Sequence, residues 1–135
     1  MKIKKLHTIL TKIFKKKGFN LKDSLICSNA IINAELAGAH SHGLSRVKMY
    51  CNRINKKLIN PNPKIKINKI SHSIKYIDAN NSIGFVAADV GIKEVITSAK
   101  KTGIGLVAVK NSGHYGLSGY YAEQAVKKNL IVFCF

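Results

Sequence analysis

The chain has 135 residues, 46% of them hydrophobic and 21% charged, which suits one domain with a buried core and excludes a disordered chain. Its formal net charge of +17 raises nucleic-acid binding as an option, but 21 of the 23 basic residues are Lys. Only Arg46 and Arg53 carry the guanidinium that contacts guanine and phosphate bidentately. The 21 lysines rise together with 18 isoleucines and 12 asparagines, as coding drift in an A+T-rich genome would produce, so the charge needs no polyanion partner. No apolar run approaches the roughly 20 residues that span a membrane. The basic N-terminus is followed by scattered lysines and not by the apolar stretch of a signal peptide. Cys27, Cys51 and Cys134 match no metal spacing and, being odd in number, no disulfide framework. They read as small buried hydrophobes in a reducing cytoplasm.

Leu6, Ile9, Leu10, Ile13 and Phe14 recur at helical spacing with lysines opposite, predicting a first helix that stops at Gly18. A second helix is expected from Asn20 as N-cap, with Asp23 in its first turn and Leu25, Ile32 and Leu36 as its apolar stripe. Residues 44–56 predict a third, with Leu44, Val47 and Cys51 on one face and Arg46 and Tyr50 on another. Asn60-Pro61-Asn62-Pro63 is a turn, and residues 64–77 suggest one or two strands ending at Asp78. Asn80-Asn81-Ser82 is expected to start a helix over 84–101, buried through Val86, Val90, Val95, Ile96 and Ala99 and closed by Gly103. Ile104–Val109 reads as a strand buried on both faces, Asn111–Gly119 as a Gly-rich loop and Tyr120–Lys128 as a short helix. Leu130–Phe135 reads as a second buried strand. The order gives an α/β fold: a helical N-terminal part, residues 1–60, then a parallel or mixed sheet with helices, residues 61–135. A chain stopping within an apolar strand predicts either cover from another subunit or an incomplete protein.

Two segments could carry chemistry. In Asn111-Ser112-Gly113-His114-Tyr115-Gly116-Leu117-Ser118-Gly119, glycines allow close backbone approach after a strand, and a helix beginning near Ser118 aims its positive end at an anion. The G-x-G-x-x-G fingerprint is absent. In His40-Ser41-His42-Gly43-Leu44-Ser45-Arg46, a 2-hydroxy or 2-oxo acid would find a proton carrier of near-neutral pKa in His42 and a bidentate carboxylate holder in Arg46, with Ser41 to orient either. A metal held by His40, His42 and His114 ranks lower because no carboxylate adjoins them, and Ser41 lacks the context of a nucleophile. His7 and His72 have no neighbours of note, and Asp89, Glu94 and Glu123 read as solvated helix positions.

Taken together, Leu36–Arg46 with Tyr50, Ser82-Ile83-Gly84, Gly103–Val109, Asn111–Gly116 and Gly119-Tyr120-Tyr121-Ala122 resemble the type-2 malate/L-lactate dehydrogenase family, which includes ureidoglycolate dehydrogenases and diketogulonate reductases. The resemblance implies NAD- or NADP-dependent hydride transfer on 2-hydroxy or 2-oxo acids, a non-Rossmann cofactor fold and a homodimer. It makes His42 the proton donor or acceptor, Ser41 its relay and Arg46, with Tyr50, the substrate-binding group. His114, Tyr115, Gly116, Leu117 and Ser118 fall at the cofactor, and His114 is the proton-transfer residue of some members. Family members are more than twice as long, so the expectation is a truncated or decayed member with little activity. The competing readings are a noncatalytic remnant and a basic binding module.

Overall fold

The computed structural model describes residues 2–135. Helix α1 (Ile3–Lys16) buries Leu10 and Phe14 and ends where Gly18 takes a left-handed φ of 94°, as its pattern predicts. Helix α2 (Leu21–Leu36) begins with the Asn20 side chain accepting the Asp23 N–H, which satisfies one of the orphan donors of a helix start. Its buried face keeps only Ile32 of the expected stripe. Leu25 is half-buried and Leu36 is exposed, while Ser24, Cys27, Ser28 and Ile31 face inward. The small side chains let α1 approach, and Thr11 and Ser28 share a buried hydroxyl contact at 3.0 Å.

Two short 3-10 turns, His40–His42 and Leu44–Arg46, separate α2 from α3 (Val47–Asn55), so the third helix starts later than residue 44. The sheet has the order β1-β2-β3. Strand β1 (Lys66–Lys69) runs antiparallel to β2 (Ile74–Ser82), and β2 runs parallel to β3 (Leu106–Ser112) through the crossover helix α4 (Gly84–Thr102). Helix α5 (Ser118–Val126) follows. The expected α/β architecture with a mixed sheet is therefore present.

In the sheet-bearing part, three expectations fail for physical reasons. Asn80 and Asn81 do not start α4. Both hold left-handed φ values, 51° and 56°, which Asn tolerates better than most residues, and they form an irregularity inside β2. The backbone carbonyl of Asn81 accepts the Asn60 N–H. Strand β3 is not buried on both faces, since Leu106 is 54% and Val109 40% exposed on a strand paired along one edge only. Leu130–Phe135 forms no strand. Strand structure requires a hydrogen-bonding neighbour, and this segment pairs with none, leaving Ile131, Phe133 and Phe135 exposed.

The larger core joins Phe14, Phe19, Ile31, Tyr50, Ile54, Ile83 and Phe85. Each such side chain contributes about 1.5–3 kcal/mol on burial. Ile92, Tyr121 and Ala125 centre a second cluster under α5. Cys27 is buried and desolvation pushes its thiol well up, whereas Cys51 and Cys134 are only half-buried, contrary to expectation. His7 also has a partner, Asn29 Oδ1 at 2.8 Å, and Glu94 pairs with the half-buried Lys75 across α4 and β2. Among the described residues no helix is long and apolar enough to cross a membrane.

Candidate active site

The two histidine segments meet. The His42 and His114 rings stack at 5.4 Å between centroids, tilted by 26°. His42 rides on the 3-10 turn after α2, and His114 on the loop between β3 and α5. What closes the distance is Gly84 at the start of α4. A Cβ there would overlap the backbone carbonyls of Gly113 and His114, so only glycine lets the loop come down against the helix. Gly116, with φ of 84°, lies so close to Phe85 that a Cβ would stand 2.6 Å from the ring.

Tyr50 is 1% exposed, packed on Phe85 at 4.9 Å, and its hydroxyl meets His114 Nδ1 at 2.7 Å. The Gly116 N–H donates to the same nitrogen at 3.3 Å. Burial pushes the Tyr50 phenol well above its ordinary value. Burial, then the positive charges of His42 and Arg46, lower the His114 pKa. On the other ring, Ser41 Oγ lies 3.0 Å from His42 Nδ1. Arg46 spends its Nε–H on the Ser41 carbonyl at 2.7 Å and sets Nη1 near Met49 Sδ. No carboxylate among the described residues pairs with its charge.

Glu35 grips this turn from the end of α2. One carboxylate oxygen meets His40 Nδ1 at 2.6 Å and the other accepts the Leu44 N–H at 2.7 Å, so the residues on both sides of Ser41-His42-Gly43 are tied to one side chain. Gly43 leaves no room for a Cβ against that carboxylate. The His40 bond, then the Leu44 N–H, hold the Glu35 carboxyl below its ordinary range. A groove of 520 Å³ lies alongside, lined by Gly84, Ala87, Ala88, Gly91, Gly113 and Tyr115 among others. Neither imidazole lines it; the histidine pair sits at the more open surface beside it.

A family model described as malate/L-lactate dehydrogenase matches residues 1–135. The chain belongs to the malate/L-lactate dehydrogenase family. It is 38% identical over 126 residues to a malate dehydrogenase of Pyrococcus abyssi, covering 93% of this chain and 35% of that protein. It is 29% identical to an Escherichia coli ureidoglycolate dehydrogenase (NAD(+)), covering 93% of this chain and 36% of that protein. In structure it superposes on sulfolactate dehydrogenase from Methanocaldococcus jannaschii with a TM-score of 0.92 at 32% identity, over 96% of this chain and 38% of that one. The malate dehydrogenase of Pyrococcus horikoshii gives 0.90 at 34%, over 93% and 36%. The chain thus spans about a third of the length of the relatives it matches.

Of the residues singled out from the sequence, Ser41, His42, Arg46, Tyr50 and His114 come together around the stacked rings. Tyr50 lies beneath His114, buried, with its hydroxyl on the imidazole Nδ1. Tyr115, Gly116, Leu117 and Ser118 continue the loop into α5, and the Tyr115 carbonyl accepts the Tyr121 hydroxyl at 3.0 Å. His40 points to Glu35 and not to the histidine pair. Glu35 and Gly84 also shape this arrangement, and residue chemistry and spacing miss them. A lone acid near a helix end carries no signal of the turn it will hold, although Gly84 does stand within a segment shared with the family.

Proposed function

We propose that the His40–Arg46 turn and the His114 loop form part of the site of an NAD(P)-dependent dehydrogenase acting on 2-hydroxy and 2-oxo acids. The observation that carries this reading is the stacked His42–His114 pair beside Arg46, a guanidinium with no carboxylate partner among the described residues. Arg46 holds the substrate carboxylate through its remaining N–H groups. His42 exchanges a proton with the substrate oxygen, and Ser41 Oγ steadies it, since a hydroxyl can donate to Nδ1 or accept from it.

The residues present suit a dinucleotide. Gly113 opens onto free space, and Leu117, the residue before α5, makes no capping bond, which leaves N–H groups of the first turn for an anion. His114, Tyr115, Gly116, Leu117 and Ser118 would hold it, and the small side chains of Gly84, Ala87, Ala88 and Gly91 line the groove alongside. When bound, the nicotinamide supplies or accepts the hydride. NAD is supported by the name of the ureidoglycolate relative, and NADP remains the other member of the same class. The same reading carries a homodimer in the cytoplasm, consistent with three free cysteines, and neither a membrane nor a specific nucleic-acid partner.

The test is NADH oxidation by the purified chain with 2-oxo acids of the malate and lactate types, read alongside NMR shifts on adding each ligand. The reading expects shifts centred on His42, Arg46 and His114 that vanish in Arg46→Ala. Absence of any shift at these residues would sink it. Steeply salt-dependent RNA binding that ignores Arg46 and His42 would favour a basic binding module instead.

A further inference from the structure

The two stacked histidines are held differently, and the difference assigns them different work. His42 Nδ1 faces a serine hydroxyl, which can serve as donor or acceptor, so the contact holds with or without a hydrogen on that nitrogen. His114 Nδ1 faces the Tyr50 hydroxyl at 2.7 Å and the Gly116 N–H at 3.3 Å. A phenol donates more strongly than it accepts, and a backbone N–H can only donate. A proton on His114 Nδ1 would point at that N–H, so the nitrogen keeps its lone pair.

We propose that Tyr50 and the Gly116 amide fix His114 as its Nε2–H tautomer, making it a neutral hydrogen-bond donor to a carbonyl oxygen of the bound ligand while His42 moves the proton. Tyr50 is then a positioning residue, acting through His114. Its burial under the ring, packed on Phe85, suits this role. A neutral imidazole is a poor proton donor, and burial, then the charges of His42 and Arg46, lower the His114 pKa and so favour the neutral ring. The lock stands on the geometry alone; its use on a ligand carbonyl rests on the dehydrogenase reading.

Histidine-selective ¹⁵N NMR on the whole chain reads the tautomer directly, because the protonated and lone-pair nitrogens resonate far apart. The unmodified chain is expected to show His114 protonated at Nε2 above its titration; a dominant Nδ1–H form would overturn the proposal with no variant needed. Tyr50→Phe keeps the ring that packs on Phe85 and removes one donor. The ratio of Nε2–H to Nδ1–H should then fall roughly fivefold, the equivalent of one neutral hydrogen bond, and an unchanged ratio would remove Tyr50 from the lock. Adding a 2-oxo acid alone, or NADH alone, tells which carbonyl the donor meets by which one moves the Nε2 signal. Shifts at His42 and Arg46 with none at His114 would refute the donor role. If no ligand shifts any of the three while the tautomer stays Nε2–H, the dehydrogenase reading falls and the lock stands.

Discussion

Arg46 does two things with one side chain. Its Nε–H holds the Ser41 carbonyl, and its charge reaches His114, where it helps keep the imidazole neutral. Arg46→Ala is therefore expected to raise the His114 pKa toward the ordinary histidine value, as followed by NMR titration; an unchanged or lower value would contradict the electrostatic account. Because the folded-state pKa of His114 is depressed, the unfolded chain takes up its proton first. This group thus lowers stability as pH falls through the ordinary histidine range, and the loss levels off below the folded-state pKa. Glu35 has a depressed carboxylate pKa, so its contribution is present above the ordinary carboxylate range and disappears as pH falls through its lower folded value. Glu35→Ala should speed amide exchange at Leu44, which loses its acceptor, while Glu35→Gln should retain most of the protection by keeping a carbonyl oxygen there. Equal exchange in all three proteins would show that the turn does not depend on this side chain.

Elements were legible where a single segment decides its own structure. The apolar spacing of α1, the Asn20 cap of α2 and the Gly103 stop of α4 are local features, with Gly103 at a φ of 84°, and each appears where the sequence places it. The β2-α4-β3 crossover was likewise legible from the change of hydrophobic period. The remainder depends on distant partners. Asn80-Asn81-Ser82 has the composition of a helix cap, but pairing with Asn60 and Ser112 draws it into β2. The Tyr50–His114 bond spans 64 residues and leaves no trace in the spacing of either segment. Ser41, His42, Arg46 and His114 could be picked out because their chemistry is unusual at those places; Glu35 could not, because acids near helix ends are ordinary. Gly84 offers a sharp test of how loop and helix fit together. Gly84→Ala should cost about 1–3 kcal/mol in denaturant unfolding, since backbone carbonyls cannot step aside as a flexible side chain can. It should also separate the His42 and His114 rings, lost as contacts between them in NMR. A variant as stable as the parent would mean that the loop can sit elsewhere.

Across the whole molecule, the site inherits its rigidity from the larger core. Phe14 of α1, Ile31 of α2, Tyr50 of α3 and Phe85 of α4 share one cluster, so the ring beneath His114 is braced by every helix before β3. Phe14→Ala is expected to cost about 3–5 kcal/mol, a large share of the roughly 5–15 kcal/mol that holds a domain together. Urea unfolding would measure it. The Tyr50–His114 contact should loosen in the same variant although Phe14 touches neither residue's polar atoms.

The unpaired side of β3 and the exposed Ile131, Phe133 and Phe135 give the molecule a sticky flank, while its +17 charge makes every copy repel every other. These two tendencies oppose each other through the solvent. In dilute buffer the repulsion reaches about 30 Å at 0.01 M salt, far enough to keep flanks from meeting, but at 1 M salt it fades within about 3 Å. Light scattering should therefore show clustering that grows with added salt, the reverse of an assembly held by ion pairs, and Phe133→Ser should delay it. Scattering that falls as salt rises would mean that charge, not the apolar flank, draws the copies together. On this account the lysines that looked idle in the sequence keep an adhesive protein dispersed.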